Sequence, residues 1–345
     1  MKHQQLGKTD LQTPPIVFGT SSLGNLFVAL PSETKLAILQ QMIQAVPAPV
    51  ALDSAGKYGA GLALETIGWG LKELGVAAND VVISNKLGWI RTPLTTPEPT
   101  FEPGAWVGLE HDAIQDISYQ GILRCWEQGS ELLGDYTSQM VSVHDPDEFL
   151  AAASSEKERE ERGEQILAAY QALTELKTKG SVRAVGVGSK DWHAIRDITK
   201  EVDLDWVMFA NSMTLYDHPT ELLAFMDDLQ QKGVGIINSA VFNAGFLTGG
   251  EYFNYRLLDP KEEANQPLFQ WRESFFALCG EFDVRPADAC VHFGRSHPGV
   301  VSVALNTSKP ERIAQNVASV TVEVPARFWD AMKEKGLLAA DYPHL

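Results

Sequence analysis

Eight short apolar runs recur along the chain, and stretches with the 3.6-residue periodicity of amphipathic helices separate them. Strands that alternate with helices pair in parallel through right-handed crossovers, and eight such units close into a (β/α)8, or TIM, barrel. We therefore predict that residues 1–345 form one α/β barrel domain. The predicted strands are Ile16–Gly19, Val50–Asp53, Val81–Lys86, Met140–His144, Ala184–Gly188, Trp206–Asn211, Val234–Ser239 and Val300–Leu305. The predicted helices include Glu33–Val46, Leu62–Leu74, Gln120–Leu133, Gly163–Lys179, Asp191–Lys200, Glu221–Gln231, Trp271–Phe282 and Pro310–Ala318.

Local signals support these helix ends. Ser32 precedes Glu33, as expected of a residue that caps a helix N-terminus. Gly180 and Gly233 stand where a left-handed residue ends a helix. A doubly wound sheet is the weaker alternative, because no G-x-G-x-x-G motif follows the first strand.

Composition excludes several classes of function. The net charge of −17 repels nucleic acid and anionic lipid, so we expect neither nucleic acid nor membrane as a partner. No apolar run is long enough to span a bilayer, and the first residues lack the apolar core of a signal peptide. Three widely spaced cysteines indicate no disulfide framework, which favours the reducing cytoplasm.

Two connections between predicted elements are unusually long. Gly88–Ser118 is rich in proline, and Phe242–Arg285 contains three glycines near its start. Loops of this length in a compact domain tend to be functional. Each follows a predicted strand, so both are expected on the face of the barrel where active sites are built.

Polar residues collect at the carboxyl ends of three successive predicted strands. Asp53 ends the second strand, Lys86 the third and His144 the fourth, and Tyr58 lies in the turn after the second. Neighbouring parallel strands lie about 4.8 Å apart, so these four side chains are expected to converge on one rim. Each alone has an ordinary structural explanation, but the four together predict a catalytic site.

The four residue types suit proton transfer to a carbonyl oxygen. A free phenol has a pKa of about 10, which is too high for a proton donor near neutrality. The Lys86 ammonium is expected to lower the pKa of Tyr58, and Asp53 to keep Lys86 charged. His144 would orient the substrate oxygen. The set fits the gain or loss of a proton as hydride arrives at, or leaves, the adjacent carbon.

These motifs resemble the catalytic tetrad of the aldo-keto reductases, and the resemblance spans nearly the whole chain. It is strongest toward the branch that contains aldose dehydrogenases acting on L-fucose and D-threo-aldoses, and pyridoxal dehydrogenase. The motifs that carry it are Phe18-Gly19-Thr20-Ser21-Ser22-Leu23-Gly24, Asp53-x4-Tyr58-Gly59, Val143-His144-Asp145-Pro146-Asp147, Arg183-Ala184-Val185-Gly186-Val187-Gly188, Ala210-x3-Thr214-Leu215-x-Asp217, Val241-Phe242-Asn243-x-Gly245 and Phe246-Leu247-Thr248-Gly249-Gly250.

The resemblance implies NAD or NADP, bound over the rim without a Rossmann fold. It places Gly19 and Thr20 near the nicotinamide, and Ser239 near the pyrophosphate. Arg312 and Asn316 would lie at the adenosine end.

The sequence departs from the family pattern at three of these places. The usual Ser-Asn pair after the fifth strand reads Gly188-Ser189, and the usual Gln after the sixth reads Ala210-Asn211, so Ser189 and Asn211 are the predicted carboxamide contacts. A basic residue that often binds the 2′-phosphate is Asn306, followed by Thr307. The loss of that cation favours NAD, or the use of both cofactors.

Substrate and metal contacts carry weaker signals. Phe27 and Trp89 are predicted to wall the substrate pocket, where apolar surface suits a sugar ring or an aromatic aldehyde. The histidines at 193, 218, 292 and 297 do not follow a metal-ligand spacing, so no metal is predicted.

Several functions remain open at this point. The leading hypothesis is an NAD(P)-dependent oxidoreductase that converts an aldose to a lactone at C1 or reduces an aldehyde or ketone. Pyridoxal or a generic aldehyde is the alternative substrate. A slow-turnover NAD(P)H-binding regulatory subunit would not need the intact tetrad. A glycoside hydrolase needs two carboxylates at the rim, and only Asp53 is plainly there, with Asp145 as a less certain second.

Overall fold

The computed structural model describes residues 1–345 and contains a closed barrel of eight parallel strands. Each strand pairs with its neighbours in chain order, and the last pairs with the first. This confirms the predicted (β/α)8 barrel, with strand ends that differ from the prediction by at most two residues. The strands are β1 Ile16–Gly19, β2 Val50–Ala55, β3 Val81–Leu87, β4 Met140–His144, β5 Ala184–Ser189, β6 Trp206–Ala210, β7 Gly235–Ser239 and β8 Val300–Leu305.

Eleven α-helices accompany the strands. They are α1 Ser32–Ala45, α2 Leu62–Glu73, α3 Tyr119–Leu133, α4 Pro146–Ala151, α5 Glu156–Thr178, α6 Trp192–Glu201, α7 Thr220–Gln231, α8 Gln266–Glu281, α9 Pro286–Gly294, α10 Ile313–Ser319 and α11 Ala326–Glu334. The prediction for Ser32 was wrong, because Pro31 occupies the cap position and Ser32 is already helical. Proline has no N–H to satisfy and its fixed φ suits a helix start. Gly180 and Gly233 do have left-handed backbones, with φ of 75° and 68°.

The barrel interior is packed, not open. Residues from all eight strands point inward, and two leucines from an N-terminal hairpin, Leu6 and Leu11, complete this cluster. Trp206 is its largest member and is fully buried. The strands Gln4–Gln5 and Gln12–Thr13 form the hairpin. The chemistry is therefore confined to the opposite rim, where the strands end.

Both long connections have internal structure. Trp89–Pro93 pairs antiparallel with His111–Gln115 in the first. In the second, Tyr252–Phe253 pairs with Arg256–Leu257 before α8 begins. An isolated bridge from Leu26 to Trp106 ties the first connection to the loop after β1. No helix in the chain combines the length and the apolar character needed to cross a bilayer.

Candidate active site at the carboxyl ends of the strands

Asp53 and Lys86 form a buried ion pair at the centre of the rim. In the register of β2 against β3, Asp53 lies opposite Ser84 and Ala55 opposite Lys86. The Lys86 ammonium donates to Asp53 Oδ2 and lies 3.4 Å from the backbone oxygen of Ser54. Both side chains are only 5% exposed. Although burial opposes it, Asp53 raises the pKa of Lys86 above its ordinary value, so the lysine stays charged, and the ion pair fixes the position of the ammonium.

Tyr58 is held over this pair by a tight crossing of two loops. The Lys86 Nζ lies 4.9 Å from the centre of the Tyr58 ring. Gly59 has φ 62°, and a Cβ there would lie 2.2 Å from the backbone oxygen of Gly24. A Cβ on Gly24 would meet the Tyr58 backbone at 2.7 Å. Only glycine fits at both places, which gives a physical reason for Tyr58-Gly59 and Leu23-Gly24 in the sequence.

His144 completes the group at the end of β4. Its ring meets the Tyr58 ring edge to face, with centroids 5.6 Å apart. Gly188 lies opposite His144 in the register with β5, and a Cβ there would lie 3.2 Å from Lys86 Cδ. A glycine at this position therefore leaves room for the lysine side chain. The structure brings together the four residues predicted as a catalytic set.

The electrostatics correct one sequence-based expectation. Burial raises the pKa of Tyr58 to about 12, because the opposing effect of Lys86 is smaller and Asp53 adds to the rise. The expected lowering by Lys86 is thus present but outweighed. Burial lowers the pKa of His144 well below its usual value, and the neighbouring lysines add to this. At neutral pH Tyr58 is therefore a neutral phenol and His144 a neutral imidazole.

A second layer of charges surrounds the tetrad, and the sequence analysis did not identify it. Lys57 lies 2.6 Å from Glu102 and 3.4 Å from Glu148. Lys190 also contacts Glu148. Lys57, Glu102 and Lys190 come from three different loops and Glu148 from the short helix α4, so these contacts depend on how the loops fold. The only clue to this cluster in the sequence was that a lysine, Lys57, directly precedes Tyr58. In the structure Lys57 is only 4% exposed.

The residues predicted near the nicotinamide differ in whether their polar groups already have hydrogen-bond partners within the protein. The Oδ1 atom of Asn211 is buried without a partner, on a backbone with φ 60°. Ser189 donates to the backbone oxygen of Asp191, and Ser239 to that of Phe209. The Thr20 hydroxyl is bound to the Asp53 backbone oxygen at 2.9 Å. Gly19 lies half-buried beside Asn306. An orphaned amide acceptor at Asn211 fits the N–H group of a carboxamide.

A polar cleft of about 270 Å³ opens beside Asn211. It runs between the ends of β5 and β6 and the loop after β7. Its walls carry hydrogen-bond donors and acceptors and side chains of both positive and negative charge. Such a lining suits the polar portion of a nucleotide. The lining residues are Lys190, Asp191, Trp192, His193, Asn211, Ser212, Asp217, Pro219 and Asn254.

The predicted adenosine end lies on exposed loop and helix residues after β8. Asn306 holds the β1 loop through Ser21 and Ser22, so its amide is not free for a phosphate. Thr307 accepts from the Lys309 backbone N–H at 3.1 Å. Arg312 is exposed and makes no ion pair, and Asn316 lies one helical turn further on. Lys309 is a further exposed cation here that sequence reasoning missed.

Aromatic side chains line the mouth around Tyr58. Trp106 lies 5.9 Å from the Tyr58 ring, between centroids, although sequence reasoning did not select it. Trp89 packs against Phe101 with its Nε1 buried and unpartnered. Phe27 is 60% exposed and stacks on Tyr252. Trp89 and Phe27 thus lie on the same side of the barrel as the tetrad. Trp89 packs among the aromatic side chains, and Phe27 is exposed at the rim.

One group of potential metal ligands lies away from the rim. The ligand atoms of Asp227, His297 and His344 are within 4.8 Å of one another. However, His297 Nδ1 accepts from the Gly299 backbone N–H at 3.1 Å. That bond places the imidazole proton on Nε2, which faces Asp227 at 3.3 Å. Nε2 is then a donor toward the carboxylate and not a metal ligand.

Comparison with known proteins gives a consistent result. A model of the aldo/keto reductase family matches residues 15–336. Pyridoxal 4-dehydrogenase from Microbacterium luteolum is 29% identical, with 97% of each chain covered. D-threo-aldose 1-dehydrogenase from a Pseudomonas species is 27% identical, with 95% of each covered. L-galactose dehydrogenase from Arabidopsis thaliana is 21% identical, covering 92% of this chain and 87% of the relative.

Solved structures share the same fold. An aldo-keto reductase from Bacillus halodurans, in its holo form, superposes with a TM-score of 0.70 at 20% identity, over 99% of this chain and 97% of the other. Glycerol dehydrogenase from Gluconobacter oxydans gives 0.68 at 16% identity, over 100% and 97%. The family comprises oxidoreductases that use a nicotinamide cofactor on small carbonyl or sugar substrates. The barrel and the matched family model together show that this chain belongs to the aldo/keto reductase family.

Proposed function

We propose that the enzyme oxidises the cyclic hemiacetal form of an aldose at C1 to a lactone, with NAD, or both NAD and NADP, as the acceptor. In this reaction the C1–H bond breaks and its electron pair leaves as hydride. The O1–H proton passes to the phenolate form of Tyr58, which becomes the neutral phenol, and C1=O forms. The reverse proton path would reduce an aldehyde or ketone. A bound nicotinamide supplies the hydride acceptor or donor.

The buried Asp53–Lys86 pair beneath Tyr58 carries this proposal. If Tyr58 only packed against its neighbours, it would not require an ion pair beneath its ring. The two side chains of this ion pair are each only 5% exposed. Lys86 stabilises negative charge on the phenol oxygen during proton transfer, and Asp53 holds Lys86 in place. His144 is neutral and therefore hydrogen-bonds to the substrate oxygen without adding a charge.

The ion pair also argues against hydrolysis of glycosides. A retaining or inverting hydrolase needs two carboxyl groups free to act as acid, base or nucleophile. Asp53 Oδ2 accepts from Lys86, and its other oxygen is buried from solvent. This favours proton transfer through Tyr58.

Pyridoxal is the second candidate substrate. The relative named pyridoxal 4-dehydrogenase is as similar to this chain as the aldose enzyme is. Pyridoxal and aldoses both carry a carbonyl that an internal hydroxyl closes to a cyclic hemiacetal, so one tetrad can serve both. The ring of Trp106 beside Tyr58 suits stacking on an aromatic substrate.

The cofactor preference rests on the loop after β8. Asn306 is engaged with the β1 loop and supplies no charge to a 2′-phosphate, which favours NAD. Lys309 and Arg312 are exposed there without ion pairs, which keeps NADP accessible.

A panel of aldoses, pyridoxal and simple aldehydes, tested with both oxidised and both reduced cofactors, tests the proposal through nicotinamide absorbance. We expect reduction of NAD by at least one aldose, with the lactone as product. Turnover with pyridoxal alone would assign the second candidate. Tight cofactor binding with no turnover on any substrate would instead identify a regulatory subunit.

A further inference from the structure

Asp145 directly follows His144 in an unusual conformation. Its backbone has φ 45° and ψ 57°, in the left-handed region that a side chain with Cβ adopts only at a cost. It occupies the N-cap position of α4, where an aspartate ordinarily accepts from the first backbone N–H groups. No such bond forms here. The left-handed turn therefore directs the carboxylate away from the helix it begins.

The carboxylate faces three donors but is hydrogen-bonded to none. Asp145 Oδ2 lies 3.6 Å from His144 Nε2, 3.6 Å from Lys190 Nζ and 3.9 Å from Lys57 Nζ. All three distances exceed the usual hydrogen-bond length. The side chain is 12% exposed, and neither its oxygens nor His144 Nε2 belongs to the fully buried polar atoms. Asp145 thus offers an open acceptor in the space that His144 Nε2 faces.

The neighbouring lysines have closer partners elsewhere. Lys57 lies 2.6 Å from Glu102, and Lys190 makes its direct contact with Glu148. With Asp145 they form only longer ion pairs, at 3.6 Å from Lys190 and 3.9 Å from Lys57, so its carboxylate keeps the capacity to accept a hydrogen bond from a ligand. A carboxylate kept ionised and unbonded beside the reacting position is suited to accept from a ligand hydroxyl.

We propose that Asp145 is a specificity-determining residue that accepts a hydrogen bond from the hydroxyl on the carbon next to the reacting carbon. It would select 2-hydroxy aldehydes and aldoses over their 2-deoxy counterparts. His144 Nε2 and the Asp145 carboxylate lie 3.6 Å apart, so two oxygens on adjacent carbons of one sugar can reach both groups at once. The inference rests on the proposed function, because it places the reacting oxygen at His144 and Tyr58.

The charge of Asp145 gives the selection a pH dependence. Burial raises the pKa of Asp145 to about 6, while Lys190 and Lys57 oppose the rise. The carboxylate is ionised at neutral pH and becomes protonated as the pH falls through about 6. Selection for the 2-hydroxyl is then expected to weaken on the acid side. The groups that face Asp145 are Lys57, Tyr58, His144, Asp147, Glu148, Lys190 and Tyr255.

The test compares kcat/KM for aldose pairs that differ only at C2. Suitable pairs are D-galactose, D-glucose and D-ribose, each with its 2-deoxy form. Wild type is compared with Asp145→Ala and Asp145→Asn, because asparagine tolerates the left-handed turn and keeps an oxygen acceptor. Asp147→Asn is the matched control. It removes a carboxylate from the same cluster and keeps an oxygen acceptor, and Asp147 accepts from the Asp191 backbone N–H but pairs with neither lysine.

We expect wild type to prefer the hydroxylated sugar. Asp145→Ala should lower kcat/KM for that sugar by about ten- to a hundredfold, the range for one hydrogen bond to a charged group. The rate on the 2-deoxy sugar should change by less than about threefold, within the range of a surface charge. The ratio in Asp145→Asn should fall between those of wild type and Asp145→Ala, and Asp147→Asn should keep the wild-type ratio. In wild type, the ratio of kcat/KM for the hydroxylated sugar to kcat/KM for its 2-deoxy form should decrease as the pH is lowered below about 6.

The outcomes separate the two proposals. Equal losses on both sugars in Asp145→Ala and Asp145→Asn, or an unchanged ratio, overturn the role of Asp145 while aldose oxidation stands. Wild type that oxidises no aldose with either cofactor overturns the proposed function, and the role of Asp145 with it.

Discussion

Two regions of the barrel rim differ in how far their polar side chains are exposed to solvent. At β2 to β4, Asp53, Lys86 and His144 are each less than 5% exposed and project from strands. After β8, Arg312 is exposed on a short 3-10 turn and is held by no ion pair. The side chains of the first region are buried in the barrel, whereas the Arg312 side chain is exposed to solvent.

This contrast matches a division between chemistry and affinity. Proton transfer needs groups held within a fraction of an ångström, which strands provide better than loops. Cofactor binding gains from adaptable cations that are solvated when free. Changes in the tetrad should therefore affect turnover and stability strongly, whereas changes after β8 should affect cofactor binding modestly.

Tyr58→Phe should produce the largest effect. It removes the proton carrier and leaves the ring packed between Trp106 and His144. We expect kcat to fall by about a hundred- to ten-thousandfold, the range for a general acid or base. Cofactor binding, followed by fluorescence titration, should be nearly unchanged. Tyr252→Phe, at an exposed rim tyrosine, is the control and should retain turnover. Wild-type kcat in Tyr58→Phe would exclude the phenol from the chemistry.

Lys86→Met should reduce both turnover and stability. It leaves Asp53 buried without a partner charge, which costs about 3–5 kcal/mol in the free energy of unfolding. The double variant Asp53→Leu/Lys86→Met replaces the pair with apolar groups and should recover most of that loss. Turnover should stay abolished in the double variant. Denaturant unfolding and steady-state kinetics check both parts, and a double variant as unstable as Lys86→Met would contradict the ion-pair assignment.

The pH profile of oxidation should follow the ionisation of Tyr58. Its pKa is raised to about 12, so the phenolate that accepts the substrate proton is a minor species at neutral pH. Below that pKa its fraction grows tenfold for each pH unit. We expect kcat for oxidation to rise steadily through the alkaline range, while reduction, which uses the neutral phenol, does not rise. An oxidation rate that levels off near neutrality would show that the phenol ionises far more readily than its burial predicts.

Strand periodicity made the fold and the tetrad predictable. All eight barrel strands came from apolar runs, because parallel strands buried on both faces have few polar residues. Strand ends then placed Asp53, Lys86 and His144 on one rim without any knowledge of the loops. The burial of Tyr58 could not be predicted in the same way, because Trp106 reaches it from a loop 48 residues further along the chain.

The charge cluster around Lys57 and the backbone conformation of Asp145 depend on how the loops fold, so the sequence did not predict them. Glu102 contacts Lys57, and Glu148 contacts Lys190, only because three separate loops and the short helix α4 fold together. No local pattern encodes such contacts. The left-handed backbone of Asp145 is likewise invisible in Val143-His144-Asp145-Pro146, since aspartate before proline is common in ordinary turns.

Arg312→Ala should give the smallest effect and the sharpest contrast with the tetrad. Arg312 is exposed and unpaired, so its removal should leave the free energy of unfolding unchanged. Loss of one solvated cation should raise the cofactor Kd by about two- to fivefold, with kcat unaffected. The loss should shrink as salt is added, because exposed charges are screened. Arg327→Ala removes an equally exposed, unpaired arginine from α11 and should change none of these values. If Arg312→Ala lowers kcat instead, the exposed end of the rim also positions the reacting groups, and the division between chemistry and affinity fails.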